Sequence, residues 1–133
     1  MNDLKDLVPK DSLDSSHIHE LEKLTDDEIT QITPELFSLI VHTDWPITEH
    51  VLTVLSFHQK ALVPFIKNDL EEEADSKLKY VIIATLLPFF EIDSLEPLLP
   101  SLSRIIKKPS LLEHAFENDY AASMLLAEDG IKI

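Results

Sequence analysis

The chain has no cysteine and a single glycine, Gly130. The first absence excludes disulfides and thiolate chemistry, and fits a reducing compartment. The second excludes the usual phosphate-cradling and dinucleotide-binding loops, which need glycine where backbone approaches a ligand. Basic residues are also few: 11 Lys and Arg stand against 25 Asp and Glu, a formal charge of −14. Nucleic acid would be repelled unless the cations were gathered in one patch. The nearest thing to one is Arg104, Lys107 and Lys108, so no nucleic-acid partner is expected. The longest apolar run, Tyr80 to Phe90, falls well short of the ~20 residues that cross a bilayer, and no membrane partner is expected. The chain does not open on a cationic stretch followed by an apolar core. A cytoplasmic location is the expectation.

What is present is a globular composition. The 133 residues are 44% hydrophobic, which suits one domain, residues 1–133, with a core that needs no staples. The apolar residues recur at helical spacing. An irregular lead-in over residues 1–13 carries Leu4, Leu7, Val8 and Leu13, which can dock it on the body. A helix is expected from about Asp14 to Leu24, with Ile18, Leu21 and Leu24 on one face. Thr25-Asp26-Asp27-Glu28 has the capping-box arrangement and opens a short helix with Ile29 and Ile32. Thr33-Pro34 reads as a second start, leading a helix to Val41. Pro46 starts the next, to Phe57, with Asp44 or Trp45 as its cap.

Gln59 to Leu70 follows, with Pro64 as a late start or a kink. The run Glu71 to Asp75 reads as a solvated loop or frayed end. Ser76 to Leu87 is the most apolar helix and the expected centre of the core. Ser94 to Lys107 is another, closed by Pro109. A last helix runs from Asn118 or Asp119 to Glu128, packing through Tyr120, Ala121, Met124 and Leu125, with Gly130 as its stop.

Three helices share an apolar–x–proline or apolar–proline step, at Pro34, Pro64 and Pro100, spaced 30 and 36 residues apart. Helical-hairpin repeats have periods near this, and no period-two strand pattern competes. The expected fold is therefore all-α: a HEAT-like helical-hairpin repeat, or short α-solenoid, of about six or seven helices.

Leu7-Val8-Pro9-Lys10-Asp11, Leu24-Thr25-Asp26-Asp27-Glu28, Asp44-Trp45-Pro46-Ile47, Lys79-Tyr80-Val81-Ile82 and Lys107-Lys108-Pro109 carry a family resemblance. In order and content the chain resembles an uncharacterised bacterial family of short HEAT-like all-helical proteins, a domain of unknown function. The resemblance covers nearly the whole chain and fits Ser110 to Asn118 least. It implies a fold and no chemistry.

Candidate chemistry is thin. His17 and His19 lie two apart on different helix faces, and His50 and His58 are eight apart, too far for one small ion. No HExxH spacing or G-x-S-x-G elbow occurs. No catalytic, metal or cofactor residue is assigned, and an enzyme is not the favoured reading. Trp45 either packs a hairpin corner or anchors a partner at its edge. Lys79 and Tyr80 either open a buried helix or, with Asp44 and Trp45, occupy equivalent corners of successive repeats. Asp44, Trp45, Lys79 and Tyr80 are thus the candidate binding residues.

The favoured function is non-enzymatic protein binding, in a specific form an acidic antidote, immunity-type or adaptor protein that masks a basic partner. One alternative is a small-ligand or enzyme site in the hairpin groove, built from His42, Asp44, Trp45, His50 and Tyr80. Another is a structural, oligomer-forming module.

Overall fold

The computed structural model describes residues 4–71 and 75–131. Among these residues every regular element is helical and there is no strand. The chain gathers into two compact units, Met1–Leu62 and Val63–Ile133. Most of the run expected as a solvated loop, residues 72–74, lies outside the described residues.

In the first unit a 3-10 turn, Leu4–Leu7, tucks Leu7 inside. The lead-in is tied down further on, where the Ile47 N–H donates to the Ser12 carbonyl at 3.2 Å. Helix α1 is Ile18–Glu22, shorter than the expected span from Asp14. The reason is local competition. Asp11 accepts from the Leu13 N–H, and Asp14 accepts from the N–H groups of Lys10 and Ser16. These side chains hold the backbone in turns that exclude helix.

Helix α2, Asp26–Ile40, opens on the expected capping box: Thr25 Oγ1 accepts from the Glu28 N–H at 3.2 Å and Glu28 Oε1 from the Thr25 N–H at 3.0 Å. It does not restart at Pro34. The proline sits inside one continuous helix, and Thr33, expected as a cap, instead donates its hydroxyl to the Ile29 carbonyl one turn back. Burial decides this: Ile29, Ile32, Leu36, Phe37 and Ile40 form one unbroken buried stripe across the proline. Each such side chain contributes roughly 1.5–3 kcal/mol on burial, enough together to outweigh one lost backbone hydrogen bond. Helix α3, Pro46–Ser56, packs on α2 through Ile47, Val51, Leu52, Val54 and Leu55, as its spacing indicates. Behind it, the buried His58 imidazole is hydrogen-bonded to Asp26.

Helix α4, Gln59–Glu71, carries the chain into the second unit and holds Pro64 internally. There α5 is Ser76–Val81, with Asp75 accepting from the Leu78 N–H at 2.9 Å. It widens directly into a π-helical stretch, Ile82–Leu86, and ends in a 3-10 turn, Leu87–Phe89. Pro88 explains the change. Its ring would strike the carbonyl of Ala84 in a regular helix, and it has no N–H to give. The backbone adapts, with the Leu87 N–H reaching back five residues to the Ile82 carbonyl.

The expected helix from Ser94 to Lys107 is likewise divided into α6, Ile92–Leu95, a 3-10 turn at Glu96–Leu98, and α7, Leu99–Lys107. Pro97 and Pro100, three residues apart, each remove a donor there. A short α8, Leu111–Ala115, follows, and α9, Asn118–Glu128, packs on α7, α8 and the π-helical stretch. Gly130 closes α9 at φ 67°, with the Ile131 N–H on the Leu126 carbonyl at 2.8 Å, the expected left-handed stop. The helical segments are thus shorter and more numerous than six or seven.

Candidate functional site

The second unit buries two opposite charges. Lys79, expected to open a buried helix or to stand at a binding corner, is only 1% exposed, and so is Glu113. The Lys79 Nζ donates to Glu113 Oε2 at 2.8 Å. Arg104, on α7, closes a two-pronged fork on the same carboxylate, Nη1 to Oε1 and Nη2 to Oε2, each at 2.6 Å. The Ser110 N–H donates to Oε1 at 2.8 Å, and the Ser110 hydroxyl accepts from the Glu113 N–H at 3.1 Å, a second capping box. Arg104 also donates from Nη2 to the Leu70 carbonyl at 3.2 Å. One carboxylate therefore joins α5, α7 and α8.

Burial pushes the Glu113 carboxyl up. The hydrogen bonds from Arg104, Lys79 and Ser110 outweigh it and hold the group at about 2 against an ordinary 4.5. It stays ionised at neutral pH, as two adjacent cations require. With its ammonium enclosed, Lys79 offers nothing to a partner at the surface; its partner is Glu113.

Because Glu113 points inward, α8 is turned apolar side out. Leu111 is 90% exposed and Leu112 and Phe116 stand in solvent beside it. On α9 the buried residues are Asn118, Ala121, Ala122, Leu125 and Leu126, whereas Tyr120 and Met124, expected to pack, are exposed. The helix is apolar on most sides, so spacing alone cannot orient it. Asn118 does: fully buried, it donates from Nδ2 to the Ser76 carbonyl at 3.0 Å and to the Phe116 carbonyl at 3.2 Å. Those bonds turn the Asn118 stripe inward and Tyr120 outward. The turn before α9 is held by Glu117 in the left-handed region, φ 59°, which costs a non-glycine residue energy.

Two hollows meet at Tyr120. The larger, about 550 Å³, is lined by Ile106, His114, Glu117, Asp119, Tyr120 and Ser123, with Ala115. The smaller, about 140 Å³, has Tyr80, Pro88, Tyr120, Met124 and Glu128 around a floor that includes Ile83, Ala84 and Leu125. No lysine or arginine lines either. His114 Nδ1 lies 2.8 Å from Asp119 Oδ2, and that hydrogen bond holds the Asp119 carboxyl below its ordinary range.

The corner of the first unit is a separate feature. Trp45 occupies the cap position of α3, half-buried, with its ring stacked on His42 at 4.2 Å between centres and 12° between planes. The Thr48 hydroxyl donates to the His42 carbonyl at 2.7 Å and locks the turn. Asp44 and His50 are exposed. Among the described residues no group of three or more His, Asp or Glu is placed to hold a metal ion.

Tyr80 is thus the one predicted binding residue that lies in these hollows. Glu113 and Tyr120 were not among the predicted site residues. A signal for Glu113 was present: Ser110-Leu111-Leu112-Glu113 has the same hydroxyl-to-carboxylate spacing as Thr25 to Glu28. Nothing local marks Tyr120, since its exposure depends on how Asn118 is anchored.

A family model described as "Domain of unknown function (DUF5071)" matches residues 7–126, in keeping with the resemblance to an all-helical family of unknown function. No curated protein matches the chain. The chain belongs to the DUF5071 family.

Proposed function

We propose that this DUF5071 protein is a non-enzymatic protein-binding module, a short HEAT-like stack of helical hairpins that works in the bacterial cytoplasm as an acidic antidote or adaptor for a basic partner. One observation supports it above the others. Large apolar side chains of α8 and α9 face solvent next to carboxylates, while a lysine and a glutamate are enclosed beneath them. Exposed apolar residues grouped in this way mark interaction surfaces. The −14 charge fits a cationic partner and opposes an anionic one. Within the second unit Tyr80 belongs to the proposed contact, and Lys79 serves it by fixing α8; Asp44 and Trp45 are a separate proposed contact at the corner of the first unit.

Affinity capture of the tagged chain from its own cell lysate at low salt tests this. A basic protein released as salt rises is the expected result. Absent or salt-insensitive capture overturns the electrostatic reading.

The same apolar side chains favour a second reading, self-association through this face. Sedimentation equilibrium across a concentration series separates the two: a constant monomer mass leaves the first standing, and a rising mass supports the second.

A further inference from the structure

We propose that the paired hollows about Tyr120 are where a basic peptide segment of the partner docks, with an arginine or lysine side chain lying on the Tyr120 ring between Asp119 and Glu128. This rests on the protein-binding reading and names its surface and ligand chemistry. The shape and the charge argue together. A long cationic side chain has an apolar stem and a charged head. The smaller hollow has an apolar floor for the stem, with Ile83, Ala84 and Leu125, and a carboxylate, Glu128, at its lining. The larger has Glu117 and Asp119. Tyr120 is 63% exposed and lines both hollows, so an aromatic ring is available to a cation.

Other occupants fit less well. A purely apolar segment would desolvate Glu117 and Glu128 without pairing them. An anionic ligand would meet those carboxylates with no lysine or arginine in the lining to offset them. A second copy would bring the same carboxylates against each other in a two-fold contact. The Ser110–Glu113 box and the Lys79 and Arg104 bonds hold α8 in place, and with it His114, which fixes Asp119 at the rim.

The test is a display selection of a random dodecapeptide library on the immobilised full chain at low salt. Enriched peptides are then titrated against wild type, Tyr120→Gln, the pair Asp119→Asn with Glu128→Gln, and Glu49→Gln on α3 as a control. Folding of each variant is checked by circular dichroism. The expected peptides carry arginine or lysine beside an apolar residue. Tyr120→Gln should weaken them by about tenfold or more, as loss of a central aromatic anchor does. The carboxylate pair should weaken them and flatten the salt dependence, and Glu49→Gln should leave them unchanged. Basic peptides that bind all variants equally overturn this surface and leave the protein-binding reading in place. No enrichment, or enrichment without basic residues, overturns both. A wild-type dimer that Tyr120→Gln dissociates gives the face to a second copy and overturns the proposal.

Discussion

The first unit, Met1–Leu62, buries leucine, isoleucine and valine along α2 and α3, and among its described residues His58 is the ionisable side chain that is buried. The second, Val63–Ile133, encloses Lys79 and Glu113 and leaves Leu111, Leu112, Phe116, Tyr120 and Met124 outside. The difference teaches where stability alone accounts for the sequence. The inward faces of α2 and α3 in the first unit follow largely from burying apolar area. In the second, a five-residue helix holds its carboxylate inside and its leucines outside, which burial alone would not select. A buried ion pair is a poor source of stability compared with packed hydrocarbon, because both charges lose water. What the Glu113 network supplies is orientation: it fixes α8 with one face outward.

The largest expected effect breaks that network. Glu113→Gln leaves the Lys79 ammonium enclosed without its anion, and urea unfolding should show a loss of about 3–5 kcal/mol. Lys79→Met combined with Glu113→Leu should recover most of that loss; failure to recover would mean that the charges themselves stabilise the unit. The pH dependence follows from the same carboxyl. Its folded value of about 2 lies below the ordinary 4.5, so the unfolded chain binds the proton first as pH falls. The stabilisation is complete above about pH 4.5 and lost as pH drops toward 2. The difference is worth about 3 kcal/mol. Urea midpoints measured from pH 6 to pH 2 should fall steeply for wild type and less for the Lys79→Met, Glu113→Leu variant.

A smaller effect sharpens the comparison at the two capping boxes. Thr25→Ala in the first unit should cost about 1 kcal/mol, the usual loss of a helix cap. Ser110→Ala should cost more than Thr25→Ala, because the Ser110 hydroxyl also positions the Glu113 backbone within the network. Equal losses would mean that the second box does no more than end a helix.

The all-helical architecture was legible, and so were the elements set by short-range chemistry. The Thr25 box, the Pro46 start and the Gly130 stop stand where their residues indicate, since each depends on partners within a turn. Prolines were read less well. Pro34 was expected to start a helix and lies inside one, because the buried stripe on either side of it is continuous. Pro88 and Pro97 instead produce π-helical and 3-10 segments that spacing does not announce. For the candidate site, Tyr80 lines the smaller hollow, and Lys79 is enclosed. Nothing near Lys79 in the sequence marks it as enclosed, because its counter-charge, Glu113, lies 34 residues on. Tyr120 was assigned to the core because α9 is apolar on most sides and its rotation is set by a long-range hydrogen bond from Asn118 to Ser76.

The claim that joins these observations is that the apolar face of α8 and α9 is a surface and not part of the fold's support. The direct measurement is the urea unfolding midpoint of the triple variant Leu111→Gln, Tyr120→Gln and Met124→Gln beside wild type. Glutamine keeps helix propensity, so a face that supports nothing should change stability by less than about 1 kcal/mol in total. A loss of several kcal/mol would show that these side chains hold the second unit together and would contradict the account.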